Sequence, residues 1–268
     1  MLADDAPAID APAFLAAGMS NAQLIGRPSL TLGGQPSAIV LALEIITRAE
    51  GAPAPEPPPV PPIVTSGLFD GTGDFLSLAS DTLLDVGSGD FTLEFWAYPT
   101  ANTNSVDSVF GYGAFTMMLY HSSSGNWTFE MSNNGISNQI VLSFARTLNA
   151  WAHIAVVKSG TGVTVYRNGA SVGTGTITGS VNTSGKSLRI GDNNVGSNQF
   201  FTGNISNFRL VKGVAIYTAP FTPPTSPLTA VAGTSLLTCN AATFVDGSGN
   251  SLPITVNGNA VVSSLNPF

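Results

Sequence analysis

Turn-forming clusters recur along most of the chain, and this pattern limits what the chain can fold into. From about Thr65 onward, strand-like runs are separated at intervals of roughly 8–15 residues by DGTGD, GSGD, SSSGN, SNNG, SGTG, RNGA, GDNN and DGSGN. Each cluster supplies Gly or Asn, the residues that tolerate positive φ in tight turns. No convincing amphipathic helix lies between them. The spacing is typical of a β-sandwich or a β-barrel.

The strand-like runs are rich in β-branched and aromatic residues. The clearest hairpin is VTVYRNGASVGTG, in which Asn168–Gly169 predicts a two-residue turn. The predicted strands are Phe75–Leu78, Phe91–Tyr98, Ser108–Tyr112, Met117–Ser122, Trp127–Met131, Gln139–Ser143, Ala152–Lys158, Gly162–Arg167, Ser187–Ile190, Gly203–Leu210 and Leu236–Thr238.

The predicted strand Phe91–Tyr98 has two chemically different faces. Alternation places Phe91, Leu93 and Phe95 on one face and Thr92, Glu94 and Trp96 on the other. The apolar face is expected to pack across the sandwich against Ile154, Val156 and Thr164 or Val165.

Trp151 and His153 are expected to serve the structure rather than a reaction. Trp151 would cap the core, and His153 would satisfy a backbone carbonyl.

A proline-rich segment predicts a boundary in the chain. Ala52–Pro62 reads APAPEPPPVPP, which favours an extended polyproline II spacer. The predicted organisation is an anchor or oligomerisation segment at 1–51, a linker at 52–64 and a sandwich at 65–268. Within the anchor, the apolar run at 38–47 is interpreted as a strand covered on both faces, with a helix as the alternative. The anchor would dock or oligomerise, or instead fold back on the sandwich.

Five segments together resemble the laminin G-like, concanavalin A-like family. They are FDGTGDFLSL, FTLEFWAYP, WAHIAVVKSGTGVTVYRNGASVGTG, LRIGDN and FFTGNISNFRLVKGVAIY. Their order and spacing match over about 200 residues, and the 60 N-terminal residues lie outside the resemblance. The resemblance implies an all-β fold, an antiparallel two-sheet jelly-roll sandwich. The subtype is similar to domains in virion proteins of tailed bacteriophages.

Charge and composition exclude several functions. The net charge of −7 argues against nucleic acid, since nothing would neutralise a run of phosphates. Cys239 is the only cysteine, so no intrachain disulfide forms, and its apolar surroundings predict a buried thiol. The acidic start MLADDAPAID does not resemble a secretory signal. The apolar run Ala38–Ile46 is too short to span a bilayer. The chain is therefore expected to fold in a reducing cytoplasm.

The sequence does not favour an enzyme. Glucanases of this fold pair carboxylates in a Glu-x-Asp-x-x-Glu pattern, whereas the predicted sandwich has only Glu94 and Glu130, neither with an acidic residue two places along. His121 and His153 are the only histidines, and no nucleophile or zinc pattern accompanies them.

Two binding chemistries remain open. The resemblance implies that Ca²⁺ could be held at a loop rim, and Asp192 is the best candidate ligand. The oxygen-rich loops are 70–74, 192–194 and 246–250. The same sequences are also typical of ordinary turns. A lectin-like site would stack aromatic rings on sugars, although most of the same rings are more simply explained as core. The candidate aromatic residues are Tyr112, Tyr120, Trp127 and Phe201.

These observations predict a bacteriophage virion accessory protein, either a capsid decoration or a short head or tail fibre. The chain would fold in the host cytoplasm, leave by lysis, attach to a capsid or tail protein through residues 1–51, and face host glycans as a homo-oligomer, with a trimer as the expectation by analogy. The alternative is an exported bacterial carbohydrate-binding module or adhesin, and a glucanase-like hydrolase is the third hypothesis.

Overall fold

The computed structural model describes residues 65–101, 106–122, 125–196 and 198–268. The predicted anchor at 1–51, its strand at 38–47 and the linker at 52–64 lie outside the described residues. All described residues belong to one compact unit, Pro61–Phe268. Within those residues, no helix is long and apolar enough to cross a membrane.

The described residues form strands joined by turns, and several predicted strands have the observed bounds. Phe75–Leu78, Met117–Ser122 and Gly162–Arg167 coincide with the prediction. The strands are β1 (Ser66–Asp70), β2 (Phe75–Leu78), β3 (Phe91–Pro99), β4 (Val106–Gly111), β5 (Met117–Ser122), β6 (Asn126–Met131), β7 (Ile140–Ala145), β8 (Ala152–Ser159), β9 (Gly162–Arg167), β10 (Ala170–Thr176), β11 (Leu188–Ile190), β12 (Thr202–Lys212), β13 (Thr234–Thr238), β14 (Thr255–Asn257) and β15 (Val261–Ser263).

The strands form two antiparallel sheets. Sheet A has the order β10-β9-β8-β3-β12-β1-β15, and β13 pairs with β12 beside β1. Sheet B has the order β14-β2-β11-β4-β5-β6-β7. This arrangement confirms the predicted two-sheet sandwich.

The core lies between the inner faces of the two sheets. Phe95 of sheet A meets Phe110 of sheet B, with ring centroids 5.7 Å apart. One expectation about this core was wrong: Ile154 and Val156 belong to β8, which pairs directly with β3. They are therefore lateral neighbours of Phe95 in sheet A, and the side chains packed across the sandwich come from sheet B.

The predicted two-residue hairpin turn joins β9 and β10. Asn168 and Gly169 have φ of 50° and 78°, and positive φ at both central positions is what a type I′ turn requires. The Asn168 side chain accepts a hydrogen bond from the backbone N–H of His153, at 2.9 Å. The turn therefore also fixes the start of β8.

At one side of the sandwich, β10 of sheet A approaches β7 of sheet B, and two glycines of β10 lie at this contact. A Cβ at Gly175 would lie 2.9 Å from Ile140, and one at Gly173 would lie 3.1 Å from Leu142. Glycine in β10 thus allows the apolar side chains of β7 to fill the gap.

Cys239 is buried, as predicted. Burial raises the pKa of its thiol to about 12. A thiol in this state is an inert part of the core.

Candidate functional site

A segment after β12 covers much of the outer face of sheet A. We call residues 213–223 the strap. The backbone N–H of Gly213 donates to the Asp90 carbonyl at 2.7 Å, and that of Phe221 donates to the Gly169 carbonyl at 3.0 Å. Between these points, the Thr92 hydroxyl donates to the Val214 carbonyl at 3.0 Å. The strap therefore crosses from the end of β12 to the β9–β10 hairpin.

Apolar contacts hold the strap against sheet A. The rings of Tyr217 and Phe221 stack with centroids 3.6 Å apart. They pack on a small cluster formed by Ala155, Val157 and Tyr166 on the outer face of β8 and β9. This part of sheet A is therefore closed to a ligand.

A buried carboxylate ties the strap to the sheet. Glu94 accepts hydrogen bonds from Arg209 Nε at 3.0 Å, from the Tyr217 hydroxyl at 2.8 Å, and lies 3.1 Å from His153 Nε2. Glu94 and His153 have no exposed side-chain surface. His153 was expected to bond a backbone carbonyl, whereas its partner is this carboxylate.

The ionisation of Glu94 follows from these contacts. Burial alone would raise the pKa of Glu94, but the hydrogen bond from His153 and the charge of Arg209 outweigh it and lower the pKa. Burial, together with the neighbouring Glu94 charge, raises the pKa of Tyr217, which therefore stays a donor. The Glu94 carboxylate is thus held by protein donors beneath the strap, while His153 Nδ1 is buried without a hydrogen-bond partner.

Sheet B presents a different outer face where β5, β6 and β7 lie side by side. Register pairs form two rows across these strands. We call this surface the β5–β7 face, and it consists of Met118, Glu130 and Val141 in one row and Tyr120, Thr128 and Ser143 in the next. Val141 is 58% exposed, Ser143 is exposed, and Tyr120 and Glu130 are half-buried. Met118 and Thr128 are buried, so the accessible part of the face consists of Tyr120, Glu130, Val141 and Ser143 and is mainly polar.

Hydrogen bonds fix the orientation of the acidic group on this face. The Tyr120 hydroxyl donates to Glu130 Oε1 at 2.7 Å, and Asn138 Nδ2 donates to Glu130 Oε2 at 2.6 Å. Burial and the contact with Glu130 raise the pKa of Tyr120, so the phenol remains protonated and keeps donating. A half-buried ring beside a preset carboxylate combines a stacking surface with hydrogen-bond acceptors, which is what recognition of a sugar requires.

Residues 191–196 and 198–200 lie along β4, beside the β5–β7 face. The backbone N–H of Ser108 donates to the Gln199 carbonyl at 2.9 Å, which ties the loop to β4. A Cβ at Gly111 would lie 2.7 Å from Asn193 Cα, so only glycine at 111 lets the loop lie on the strand. This part of the loop therefore lies on β4, next to Met118 of β5.

The structure corrects the prediction for three of the four aromatic candidates. Tyr112, Trp127 and Phe201 are buried in the core, with 1%, 0% and 0% of their surface exposed. The Tyr112 hydroxyl donates to the Leu84 carbonyl at 3.1 Å, and the rings of Trp127 and Phe201 stack 6.4 Å apart. Their strand parity directs them between the sheets, where no sugar can reach them. Tyr120 is the one candidate of the four on an open face.

Asp192, the candidate calcium ligand, is 1% exposed and lies in an ion pair with Arg189 at 2.6 Å. The other carboxylate oxygen of Asp192, Oδ1, is buried and has no hydrogen-bond partner. Within the described parts of the chain, no group of three or more His, Cys, Asp or Glu side chains could hold a metal ion. The role of Asp192 as a calcium ligand stays a prediction.

The other two Asp-Gly-rich loops use their carboxylates in turns. Asp246 accepts from the backbone N–H groups of Leu237, Ser248 and Leu252, at 3.2, 2.9 and 3.0 Å. Asp74 accepts from the backbone N–H groups of Asp70 and Asn259, at 3.1 and 2.7 Å. The turn interpretation describes both loops.

Two further surfaces carry aromatic side chains, one on the outer face of sheet A and one in a depression near Asp246. Trp96, Tyr98 and Trp151 are half-buried on the outer face of sheet A, and Trp96 packs against Phe268 with centroids 5.8 Å apart. A depression of about 360 Å³ is lined by Phe244 and by residues near Asp246, whose carboxylate is already occupied. In the second surface, the Asp246 carboxylate already accepts three backbone hydrogen bonds.

Sequence reasoning missed the role of Glu130 and Asn138. Glu130 was considered only as a catalytic acid, and Asn138 was assigned no role. The hairpin signal SSSGN between β5 and β6 could have indicated that Tyr120 and Glu130 share a face, because equal strand lengths on both sides set the register.

The sandwich and its open polar face define a lectin-like β-sandwich protein. Residues 70–216, more than half of the chain, match the family described as the concanavalin A-like lectin/glucanases superfamily. The chain belongs to this family. A search of curated proteins gave no match.

Two solved structures share the fold. One is from Bacteroides ovatus ATCC 8483, described as a proposed carbohydrate-binding protein, with 17% identity, a TM-score of 0.54, and coverage of 75% of this chain and 62% of that chain. The other is the heptameric SAP-like pentraxin of Limulus polyphemus, with 16% identity, a TM-score of 0.52, and coverage of 75% and 95%. The chain thus spans less than two thirds of the Bacteroides protein. At these identities the likeness shows the fold.

Proposed function

We propose that this protein is a non-catalytic glycan-binding protein and that the β5–β7 face is its binding surface. The observation that carries the proposal is the Tyr120–Glu130–Asn138 cluster, in which a half-buried ring lies beside a carboxylate held by two donors. The strap covers sheet A over β8 and β9, so that part of sheet A is closed to a glycan. The description of the Bacteroides structure supports the same class of ligand.

The positions of the two glutamates support a binding role over hydrolysis. Glu94 points outward from sheet A beneath the strap, and Glu130 points outward from sheet B. Two carboxylates on opposite faces of a sandwich cannot flank one glycosidic bond, which a glycosidase requires.

A glycan array with the full chain, followed by titration of the best ligand, tests the proposal. Tyr120→Ala is expected to weaken binding at least tenfold, about 1.4 kcal/mol, because it removes both the ring and the donor to Glu130. Tyr98→Ala is the matched control, since Tyr98 is a half-buried tyrosine on the outer face of sheet A. Loss of binding in Tyr98→Ala alone would place the site on sheet A, and an array without any bound glycan would refute the function.

The setting that we propose is the surface of a bacteriophage virion, with attachment through residues 1–51. The support is the similarity of the motifs to virion domains and the proline-rich segment that separates residues 1–51 from the sandwich. Several copies on one particle would strengthen weak glycan contacts through avidity.

Electron microscopy of purified particles, labelled with an antibody against residues 65–268, tests the setting. Label at regular positions on a capsid or tail is the expected result. Unlabelled particles, with the antigen on intact bacterial cells, would instead support an exported bacterial carbohydrate-binding module or adhesin.

A further inference from the structure

We infer that the β5–β7 face selects uncharged, hydroxyl-rich glycans and discriminates against glycans that carry carboxylate or sulfate groups. This inference rests on the proposed glycan-binding function and adds the class of ligand. It follows from the state of Glu130, from the charges around it, and from the register of sheet B.

Glu130 requires a ligand that donates hydrogen bonds. A carboxylate only accepts, and its two oxygens offer about four lone-pair sites. Tyr120 and Asn138 use one site on each oxygen. The remaining acceptor sites suit the hydroxyl groups of a sugar, and they give nothing to an anionic group, which also only accepts.

No described basic side chain forms an ion pair with Glu130, whereas Asp107, Glu94 and Asp192 all have such partners. A neutral face would be indifferent to an anionic sugar, but a carboxylate without a cation repels it. At a separation of about 5 Å, two unit charges in water repel enough to reduce affinity about threefold or more.

The cation on the same register row is too distant to compensate. Arg189 pairs with Gly111, Gly111 with Met118, and Met118 with Glu130, so three strand spacings, about 14 Å, separate Arg189 from Glu130. This distance exceeds the screening length of about 8 Å at physiological salt. Arg189 is also neutralised by Asp192, and Asn193 lies over Gly111 between the two positions.

Arg146, at the end of β7, is directed elsewhere. Its guanidinium lies over the ring of Trp127, 5.4 Å from the centroid, and Trp127 is in the core. The β5–β7 face therefore presents a preset negative charge whose acceptors point to solvent.

The test uses the full chain and matched ligands. An uncharged glycan selected on the array is titrated beside a counterpart of equal length in which a primary alcohol is oxidised to a carboxylate, as in oligogalactose and oligogalacturonate. The uncharged glycan is expected to bind at least threefold tighter in low salt, and the preference should shrink at high salt. Glu130→Gln keeps an acceptor, removes the charge, and should bring the ratio of the two affinities close to one.

Asp81→Asn is the matched control, because it changes the net charge equally, retains the acceptor for the backbone N–H of Leu83, and leaves the β5–β7 face intact. Its affinity ratio should equal that of the unmodified protein. Equal or tighter binding of the charged glycan would overturn the selectivity while leaving glycan binding in place. A preference that persists in Glu130→Gln would also overturn it. Binding of neither class would refute the proposed function itself.

Discussion

At the scale of the residue, the same side chain has opposite roles in the two sheets. Glu94 is buried, paired with Arg209 and His153, and holds the strap. Glu130 is half-buried, bonded only to neutral donors among the described residues, and faces solvent. Environment decides whether a carboxylate stabilises the fold or meets a ligand.

The buried network gives a stability prediction for Glu94→Gln. The substitution leaves Arg209 as an uncompensated buried charge, so we expect a loss of about 3–5 kcal/mol in the free energy of unfolding at pH 7. Because the folded-state pKa of Glu94 lies below its unfolded value, this stabilisation is complete above about pH 4.5 and is lost as pH falls through the folded pKa.

Urea unfolding at pH 7 and at pH 3 measures this effect. The difference between the unmodified protein and Glu94→Gln should be large at pH 7 and smaller at pH 3. Glu130→Gln serves as the control and should change the stability by no more than about 1 kcal/mol. A Glu94→Gln cost below that of the control, or one independent of pH, would contradict the role of the network.

The residue scale is also where sequence prediction failed for the site. Tyr112, Tyr120, Trp127 and Phe201 are all aromatic residues beside polar loops, yet only Tyr120 lies on an open face. A one-residue change of register reverses which face a side chain occupies. The register cannot be read from composition. The burial of Cys239, in contrast, was predictable, because apolar residues lie on both sides of it in the sequence.

At the scale of the element, strands with alternating apolar residues were predictable. The strands β14 and β15 and the strap were not. β2, β5 and β9 were predicted with their observed bounds because turn residues delimit them. β14 and β15 have three residues each and no buried residue, so no apolar face marks them in the sequence, whereas β11, equally short, has two buried residues. The strap has no regular pattern, and its position depends on contacts with side chains that are distant in sequence.

Docking of the strap depends on Gly169, which combines positive φ with close approach. A Cβ at Gly169 would overlap the carbonyl oxygen of Phe221, whose backbone N–H donates to the Gly169 carbonyl. Gly169→Ala is therefore expected to cost about 3 kcal/mol in the free energy of unfolding. Gly160→Ala is the control, since Gly160 has φ of 58° and no atom near its Cβ position, so only about 1 kcal/mol is expected.

Chemical denaturation of the two glycine variants makes the comparison. A larger loss for Gly169→Ala, accompanied by faster proteolytic cleavage within residues 213–223, is the expected result. Equal losses in both variants would mean that the strap does not depend on this contact.

At the scale of the whole molecule, the sandwich separates two tasks between its sheets. Sheet A carries the strap and the buried charge network, and sheet B carries the open polar face. The family and the fold could be predicted from motif order, because turn spacing and strand patterns are local properties. The proposed binding face could not, because the choice depends on which part of the outer surface the strap covers.

The proposed anchor predicts that assembly depends on residues 1–51. Light scattering after size-exclusion chromatography should give a homo-oligomer for the full chain, with a trimer as the expected state, and a monomer for residues 65–268. A monomeric full chain would contradict the anchor, and an oligomer of residues 65–268 would place the subunit contact on the sandwich.

The most direct test of the central claim is to map a bound glycan on the protein by the shifts of backbone amide resonances in NMR spectra of residues 65–268. Binding at the β5–β7 face predicts that the largest shifts fall in 117–121, 126–131 and 138–145, and that Tyr120→Ala abolishes them. Shifts concentrated around Trp96, Tyr98 and Trp151 would contradict the claim and assign the binding surface to sheet A.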